Sequence, residues 1–230
     1  MLLLPGLLCD ESLWDLVVPS VRSVASPLAI DLTKSANIQA MAADALKIAP
    51  DTFVLAGFSM GGQVALEICR MAPERVQGLC LMSTNAHGLT PAVHDALSAA
   101  KGRILRDGID AYLAGACEAY FAHMTDPSPA IRDRFLRMGR RLGADVALRQ
   151  IDALLDYRGF EPPLSSLRMP TMLICGERDA RTPVGLHRQM STDMGNAPVH
   201  VVPGSGHFTM LEAPDVVASL LSRWCSRVLD

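Results

Sequence analysis

The sequence has little excess charge and no long apolar run. Its 230 residues carry 21 Lys and Arg against 24 Asp and Glu, a formal net charge of -3. This near balance argues against nucleic acid or an anionic membrane surface as the partner. No apolar run reaches the ~18 residues that a membrane-spanning helix needs. The apolar start, Met1–Leu4, has no basic lead-in and is cut by Pro5 and Gly6, so we expect a buried strand, no signal peptide and a cytoplasmic protein.

The sequence also lacks clustered metal ligands. Its six cysteines are scattered without a C-x-x-C motif, and four of the histidines, His94, His123, His187 and His200, have no metal-ligand spacing between them. Since no export signal is recognised, reduced and buried thiols are the expected state. We therefore expect neither a metal nor an organic cofactor.

Strand-like and helix-like stretches alternate along the chain, half of which is apolar. Several of the strand-like runs are continuously apolar, as is typical of strands covered on both faces. This alternation predicts one α/β domain over residues 1–230, with a parallel sheet between helices. The predicted strands are Leu2–Leu4, Pro27–Ile30, Thr52–Ala56, Val76–Met82, Thr171–Cys175 and Val199–Val202, and the predicted helices span about 12–20, 37–48, 60–72, 184–193 and 210–228.

Residues 88–165 interrupt this alternation, because they contain no convincing strand. Within them, Ile131, Phe135, Met138 and Leu142 recur at steps of four, three and four, which predicts one apolar helix face. A helical insertion in an α/β chain is expected to cover the carboxyl edge of the sheet, where ligands bind. We therefore predict a helical cap over about 88–165.

The segment Gly57-Phe58-Ser59-Met60-Gly61-Gly62 lies between a predicted strand and a predicted helix. This pattern is typical of a sharp turn that exposes a serine hydroxyl, with glycines where side chains would crowd the neighbouring backbone. The N–H groups at the start of the helix point toward any negative charge that forms beside the serine. The motif therefore predicts a nucleophile, Ser59, that attacks a carbonyl.

A serine nucleophile needs a base and a carboxylate that orients it. His207, in the loop after the last predicted strand, is the candidate base. Asp179, in the loop after Thr171–Cys175, is the candidate carboxylate, with Glu177 as a less favoured rival. Because all three residues follow the carboxyl ends of strands, we expect them to meet at one edge of the sheet.

These motifs, in the order Ser59, Asp179, His207, resemble the α/β-hydrolase family over nearly the whole chain. The similarity is to serine esterases and thioesterases with a helical cap, including carrier-protein methyl ester esterases. It implies an α/β-hydrolase fold. Because the chain begins on the strand that precedes the oxyanion loop, we expect a smaller, mostly parallel sheet of about six strands flanked by helices.

The resemblance also implies an oxyanion hole and a substrate pocket. The backbone N–H groups of Leu7 and Met60 would hold the oxyanion. The acyl pocket would be mostly apolar, and the cap would supply much of it. The candidate substrate-binding residues are Phe58, Leu113, Tyr120, Phe121, Phe135 and Phe208.

The segment 131–141 of the predicted cap holds five arginines and one aspartate. A solvated helix face is the favoured interpretation. The alternative, suggested by the family's carrier-dependent esterases, is a surface that docks an anionic group or an acidic carrier through Arg134, Arg137 and Arg141.

We expect a serine hydrolase of the carboxylesterase type that cleaves a small-molecule ester or thioester, possibly carrier-bound, through an acyl-enzyme. The same triad serves carbon–carbon bond hydrolases, lactonases and cofactor-free perhydrolases, which remain alternatives. A different class of alternative is a ligand-binding or signalling protein with slow turnover.

Overall fold

A computed structural model describes residues 1–124 and 129–229 and contains a six-stranded, fully parallel sheet. The strands stand in the order β2-β1-β3-β4-β5-β6. All six predicted strands are present, which confirms the expected fold class. Residues 125–128 of the predicted cap lie outside the described residues. The strands are β1 (Leu2–Leu4), β2 (Leu28–Ala29), β3 (Phe53–Phe58), β4 (Val76–Met82), β5 (Thr171–Gly176) and β6 (Val199–Val202).

Helices cover both faces of the sheet. One face carries α2, α3 and α6, and the other carries α1 and α8. The pair α4 and α5 lies between β4 and β5 in the chain and forms the cap. The helices are α1 (Val18–Val21), α2 (Ile38–Ile48), α3 (Met60–Met71), α4 (Pro91–Phe121), α5 (Pro129–Leu155), α6 (Val184–Asp193), α7 (Thr209–Glu212) and α8 (Pro214–Leu229).

The alternation of side chains along each strand builds two cores. In β1, Leu3 joins the core beneath α1, α8 and much of the cap, while Leu2 and Leu4 join the core beneath α2 and α3. All three leucines are at most 1% exposed. Burying a leucine side chain stabilises a fold by about 1.5–3 kcal/mol, which explains why β1 is apolar at every position.

The two cap helices are each broken once by a glycine. Gly108 interrupts α4 at φ +81°, and Gly143 interrupts α5 at φ +75°, conformations that side-chain-bearing residues rarely adopt. The predicted apolar face is confirmed, because Phe135 and Met138 are buried in the core that the cap shares with the sheet. The cap is therefore continuous with the main core.

Helix α3 approaches β1 and β3 too closely for side chains at the contact. A Cβ added at Gly61 would lie 2.1 Å from the carbonyl oxygen of Leu4, and one at Gly57 would lie 2.4 Å from the carbonyl oxygen of Gly61. Both obstacles are backbone atoms, which cannot rotate away. The glycines therefore fix how deeply the start of α3 sits against the sheet.

We predict that Gly61→Ala lowers the free energy of unfolding by about 1–3 kcal/mol or more, because the new methyl group must displace the β1 backbone. Gly185→Ala is the matched control, since a Cβ there meets nothing within 4 Å. Alanine in that helix should leave stability unchanged or raise it by roughly 0.5–1 kcal/mol. Urea denaturation measures both, and equal stability of the two variants would contradict the close-packing argument.

Candidate active site

Ser59 occupies the sharp turn between β3 and α3. Its backbone is held at φ 51° and ψ -118°, a strained conformation for a residue with a side chain. The turn is fixed by its neighbours: the Ser59 N–H donates to the carbonyl oxygen of Met82 at 2.9 Å, and the Ser59 carbonyl accepts from the Thr84 hydroxyl at 2.7 Å. The rest of the fold thus stabilises a turn that leaves the Ser59 hydroxyl partly exposed.

The imidazole of His207 lies between the other two candidate residues. Its Nε2 is 3.2 Å from the Ser59 Oγ, and its Nδ1 is 2.9 Å from Oδ2 of Asp179. His207 is only 4% exposed, so these contacts are shielded from bulk water. The structure therefore brings together the three residues that the sequence singled out.

Asp179 accepts several hydrogen bonds besides the one from His207. The Arg181 N–H donates to its Oδ1 at 2.8 Å, and Thr182 donates through its N–H and its hydroxyl at 3.0 and 2.7 Å. Burial by itself raises the pKa of this carboxyl group, but pairing with His207 and the bonds from Thr182 outweigh burial and hold the pKa well below its ordinary value. Asp179 is therefore ionised and points at the imidazole.

A second buried carboxylate, Glu212 of α7, fixes the backbone on both sides of His207. It accepts the N–H of Gly206 at 2.7 Å and the N–H of Phe208 at 3.0 Å. Its Oε2 also lies 2.8 Å from Nε2 of His123, which follows α4 in the cap. Sequence reasoning missed this role, because only the fold brings His123 to α7.

The two backbone N–H groups predicted to form the oxyanion hole belong to segments that adjoin Ser59. Among residues 1–124 and 129–229, no protein atom accepts a hydrogen bond from the N–H of Leu7 or of Met60. Met60 begins α3, whose N-terminus favours negative charge. The loop containing Leu7 lies against the nucleophile, because a Cβ at Gly6 would lie 3.2 Å from the Cβ of Ser59. Both donors belong to segments that contact Ser59.

Three of the predicted substrate-binding residues surround the imidazole of His207. Tyr120 stacks on it at 5.4 Å between ring centroids with an interplanar angle of 18°. Phe58 lies at 5.1 Å and Phe208 at 5.6 Å. Of these, Tyr120 alone is partly exposed, and the Arg181 guanidinium lies 4.9 Å above its ring.

The other three candidates lie deeper in the cap. Phe121 and Phe135 pack on Phe208 at 5.7 and 5.4 Å and are 1% and 3% exposed. Leu113 is fully buried between the cap helices, where its methyl groups fill the space beside Gly139. These residues form a packed layer behind the rings that contact His207.

Arginines of α5 fasten the cap to the segment after the Leu7 loop. Arg134 pairs with Asp15 at 2.8 Å and donates to the carbonyl oxygen of Ser12, and Arg141 pairs with Asp10 at 2.6 Å. The remaining pairs lie within the cap and join Arg137 to Asp133 and Arg140 to Asp110. Four of the five arginines in segment 131–141, including the three considered for docking, therefore have acidic partners in the chain.

The described part of the chain offers no cluster of three or more His, Cys, Asp or Glu residues that could hold a metal ion. Nor does any described helix have the length and apolarity needed to cross a bilayer. All six cysteines are buried and unpaired. Cavities of about 400, 380 and 590 Å³ lie near the start of β5 or beside α8, and His207 lines none of these three.

We predict that Glu212→Gln lowers the free energy of unfolding by about 1–3 kcal/mol, because one amide oxygen cannot accept both buried N–H groups. Glu177→Gln is the matched control, since Glu177 is exposed and accepts the N–H of Gly204 on the same loop. Its effect should stay within about 0.5 kcal/mol. Urea denaturation tests both, and similar losses would argue against a special role for Glu212.

The lowered pKa of Asp179 predicts how stability changes with pH. Because the folded-state pKa lies below the unfolded value of about 3.9, the contribution of ionised Asp179 is present above that value and is lost as the pH falls through the folded-state pKa. The stability advantage of wild type over Asp179→Asn should be largest above about pH 5 and shrink on acidification. Denaturation at a series of pH values measures it, and an advantage that grows toward low pH would refute the assignment.

The sequence profile of the alpha/beta hydrolase family matches residues 1–220. A putative 2-succinyl-6-hydroxy-2,4-cyclohexadiene-1-carboxylate synthase of Bacillus subtilis is 27% identical over 76% of this chain and 66% of its own length. A pimeloyl-acyl-carrier-protein methyl ester esterase of Vibrio parahaemolyticus is 25% identical over 100% of this chain and 92% of its own. The chain spans only 42–66% of the length of this synthase and of four other curated relatives that it matches.

Solved structures show the same fold at low identity. A thermophilic esterase from Thermogutta terrifontis superposes with a TM-score of 0.84 and 21% identity, covering 99% of this chain and 89% of the esterase. The parallel sheet, the helical insertion after β4 and the family match over residues 1–220 agree with one another. The chain belongs to the alpha/beta hydrolase family.

Proposed function

We propose that the protein is a serine hydrolase that cleaves a carboxylic ester or thioester with a small to medium acyl group through an acyl-enzyme. The observation that carries this proposal is the position of His207, whose two ring nitrogens lie 3.2 Å from the Ser59 hydroxyl and 2.9 Å from the Asp179 carboxylate. A base that is oriented by a carboxylate and contacts a hydroxyl on a strained turn is the arrangement that activates a serine.

In the proposed acylation step, the Ser59 Oγ attacks the carbonyl carbon of the substrate while Nε2 of His207 takes the hydroxyl proton. The carbonyl electron pair moves onto its oxygen, where the N–H groups of Leu7 and Met60 stabilise the charge. Collapse of this intermediate breaks the bond to the leaving alcohol or thiol, which receives the proton from His207. Asp179 keeps the imidazole in the required tautomer and stabilises its charged form.

Deacylation repeats the same chemistry with water. His207 removes a proton from a water molecule as its oxygen attacks the acyl carbon, and the proton then returns to the Ser59 oxygen as the acid leaves. Each preorganised oxyanion donor contributes about 3–4 kcal/mol to transition-state stabilisation. Because both donors are backbone groups, substitutions of the Leu7 and Met60 side chains should affect turnover less than loss of Ser59.

The choice of an ester is supported by similarity over the whole length of the chain to a protein named as a methyl ester esterase. A small to medium acyl group is supported by the rings around His207. Phe58 and Phe208 are 1% and 2% exposed, and Phe121 and Phe135 back them, so the space beside the imidazole is filled by side chains. Partly exposed Tyr120 then marks the side from which a substrate reaches Ser59.

A free small-molecule substrate is favoured over one docked on a carrier through the cap. Arg134 and Arg141 already neutralise Asp15 and Asp10, and Arg134 also binds a backbone carbonyl. A carrier that used these arginines would have to separate the cap from the segment that it holds. We therefore propose that these arginines are structural.

We predict that Ser59→Ala lowers kcat for p-nitrophenyl acetate or butyrate by at least about 10⁴-fold, because no other group can accept the acyl moiety. Ser205→Ala is the matched control: this buried serine lies two residues before His207, and its hydroxyl has no hydrogen-bond partner among the described residues. It should retain activity.

Two further results would overturn the proposal. Undiminished turnover by Ser59→Ala would exclude Ser59 as the nucleophile. Failure of a fluorophosphonate probe to label Ser59 in folded wild type would favour a ligand-binding role. If the probe labels Ser59 but no ester is turned over, product analysis with a β-diketone, a lactone, and acetate plus peroxide distinguishes the other reactions that this triad serves.

A further inference from the structure

Gln150, in α5 of the cap, joins the cap to two loops at the edge of the sheet. Its side chain is fully buried. Its Oε1 accepts the N–H of Leu8 at 2.9 Å, and its Nε2 donates to the carbonyl oxygen of Leu32 at 3.2 Å. A buried amide is tolerated only when its polar atoms are paired, and here both ends are used on segments more than 100 residues away in the chain.

The bond from Leu8 acts on a strained turn. The turn is closed by the N–H of Cys9, which donates to the carbonyl oxygen of Gly6 at 3.1 Å. Leu8 has φ +54°, in the left-handed region that favours glycine. A leucine keeps this conformation only where its surroundings hold it.

The peptide group between Leu7 and Leu8 is held at both of its polar atoms. Its N–H, which belongs to Leu8, donates to Gln150, and its carbonyl oxygen, which belongs to Leu7, accepts from the thiol of Cys9 at 3.4 Å. Burial raises the pKa of the Cys9 thiol, so the thiol keeps the proton that it donates. The Leu7 N–H belongs to the preceding peptide group, whose carbonyl oxygen, that of Gly6, accepts the Cys9 N–H. The two peptide groups that flank Leu7 are therefore both held, and their relative rotation sets the direction of the Leu7 N–H.

We propose that Gln150 is a positioning residue for the oxyanion hole, which it controls by holding the Leu7–Leu8 peptide from the cap. This inference rests on the proposed hydrolase function. An oxyanion donor is effective only if it already points at the developing charge, since reorientation during the reaction forfeits the gain. Without Gln150, Leu8 relaxes toward negative φ, the peptide plane turns, and the Leu7 N–H no longer points at the substrate oxygen.

A substitution of the neighbouring residue Arg149 can distinguish two roles of Gln150: holding the turn that carries the Leu7 N–H, and attaching the cap to the sheet edge. Its guanidinium donates to the carbonyl oxygen of Thr33, next to the Leu32 carbonyl that Gln150 binds. Arg149 therefore ties the same helix to the same loop, whereas its hydrogen bonds within residues 1–124 and 129–229 do not include the turn that carries Leu7. Substituting Arg149 removes only a bond between the cap and the loop at Thr33, whereas substituting Gln150 also removes the bond that holds the turn at Leu8.

The test compares Gln150→Leu, Gln150→Glu and Arg149→Leu with wild type. Active sites are counted by fluorophosphonate labelling carried to completion, and kcat for p-nitrophenyl acetate is expressed per labelled site. Affinity for an aryl trifluoromethyl ketone is measured in parallel. Ser59 adds to that ketone, its proton passes to His207 and the carbonyl electron pair becomes an oxyanion, so binding reports on the oxyanion hole.

Gln150→Leu should lower kcat per site roughly 10- to 100-fold, with KM little changed, because a donor displaced by about 1 Å loses most of its effect. Affinity for the ketone should fall by the same factor as kcat/KM. Gln150→Glu keeps an acceptor for the Leu8 N–H, and because burial favours the protonated acid its O–H can donate to the Leu32 carbonyl, so this variant should recover most of kcat. Arg149→Leu should match wild type per labelled site.

The proposal is overturned if Gln150→Leu keeps wild-type kcat per site, or if Arg149→Leu loses as much. Should Gln150→Leu not fold, Gln150→Asn replaces it: the shorter amide cannot span Leu8 and Leu32, and the same loss is expected. An inactive wild type that is not labelled at Ser59 refutes the hydrolase function itself, whereas an active wild type with unaffected Gln150 variants refutes only the role of Gln150.

Discussion

The position of the His207 imidazole depends on two buried carboxylates, and the rest of the site depends on that position. Asp179 binds the ring directly, while Glu212 holds the backbone on both sides of it. Buried carboxylates are tolerated only when donors surround them, and here the donors are backbone N–H groups, a threonine hydroxyl and two imidazoles. The network that keeps these charges satisfied therefore also sets the direction of the base.

The cap contributes more than a cover. It reaches the sheet edge through several polar contacts. His123 binds Glu212, Arg134 and Arg141 bind the segment 10–15, and Gln150 binds the turn at Leu8 and the loop at Leu32. The strained backbones of Ser59 and Leu8 lie beneath these contacts. Strain of about 1–3 kcal/mol at each such residue persists where neighbouring structure over-determines it. The cap and the sheet therefore both contribute the contacts that hold the candidate site.

Much of the fold could be predicted, because the signals were local. Continuous apolar runs such as Phe53–Phe58 become strands because both faces of the sheet are covered. The positions around Ser59 are glycines because α3 touches the sheet backbone. The loops bearing Asp179 and His207 could be placed at one edge from the parallel topology. Of the aromatic residues chosen for the pocket, Tyr120 contacts the imidazole, while Leu113 fills the interior of the cap; composition could not separate these two environments.

The sequence by itself determined which strand each candidate catalytic residue follows: the serine follows the third strand, the carboxylate the fifth and the histidine the sixth. The residues next to each of them also indicated the turn on which it lies. Only the tertiary structure decided which polar groups hold that chemistry in place. Glu212, His123 and Gln150 carry no motif, and the arginines of α5 read as a solvated face although two of them pair with Asp10 and Asp15. These pairs join residues more than 80 positions apart in the chain. Whether two such residues meet depends on how distant segments pack together, and no local sequence pattern reports that.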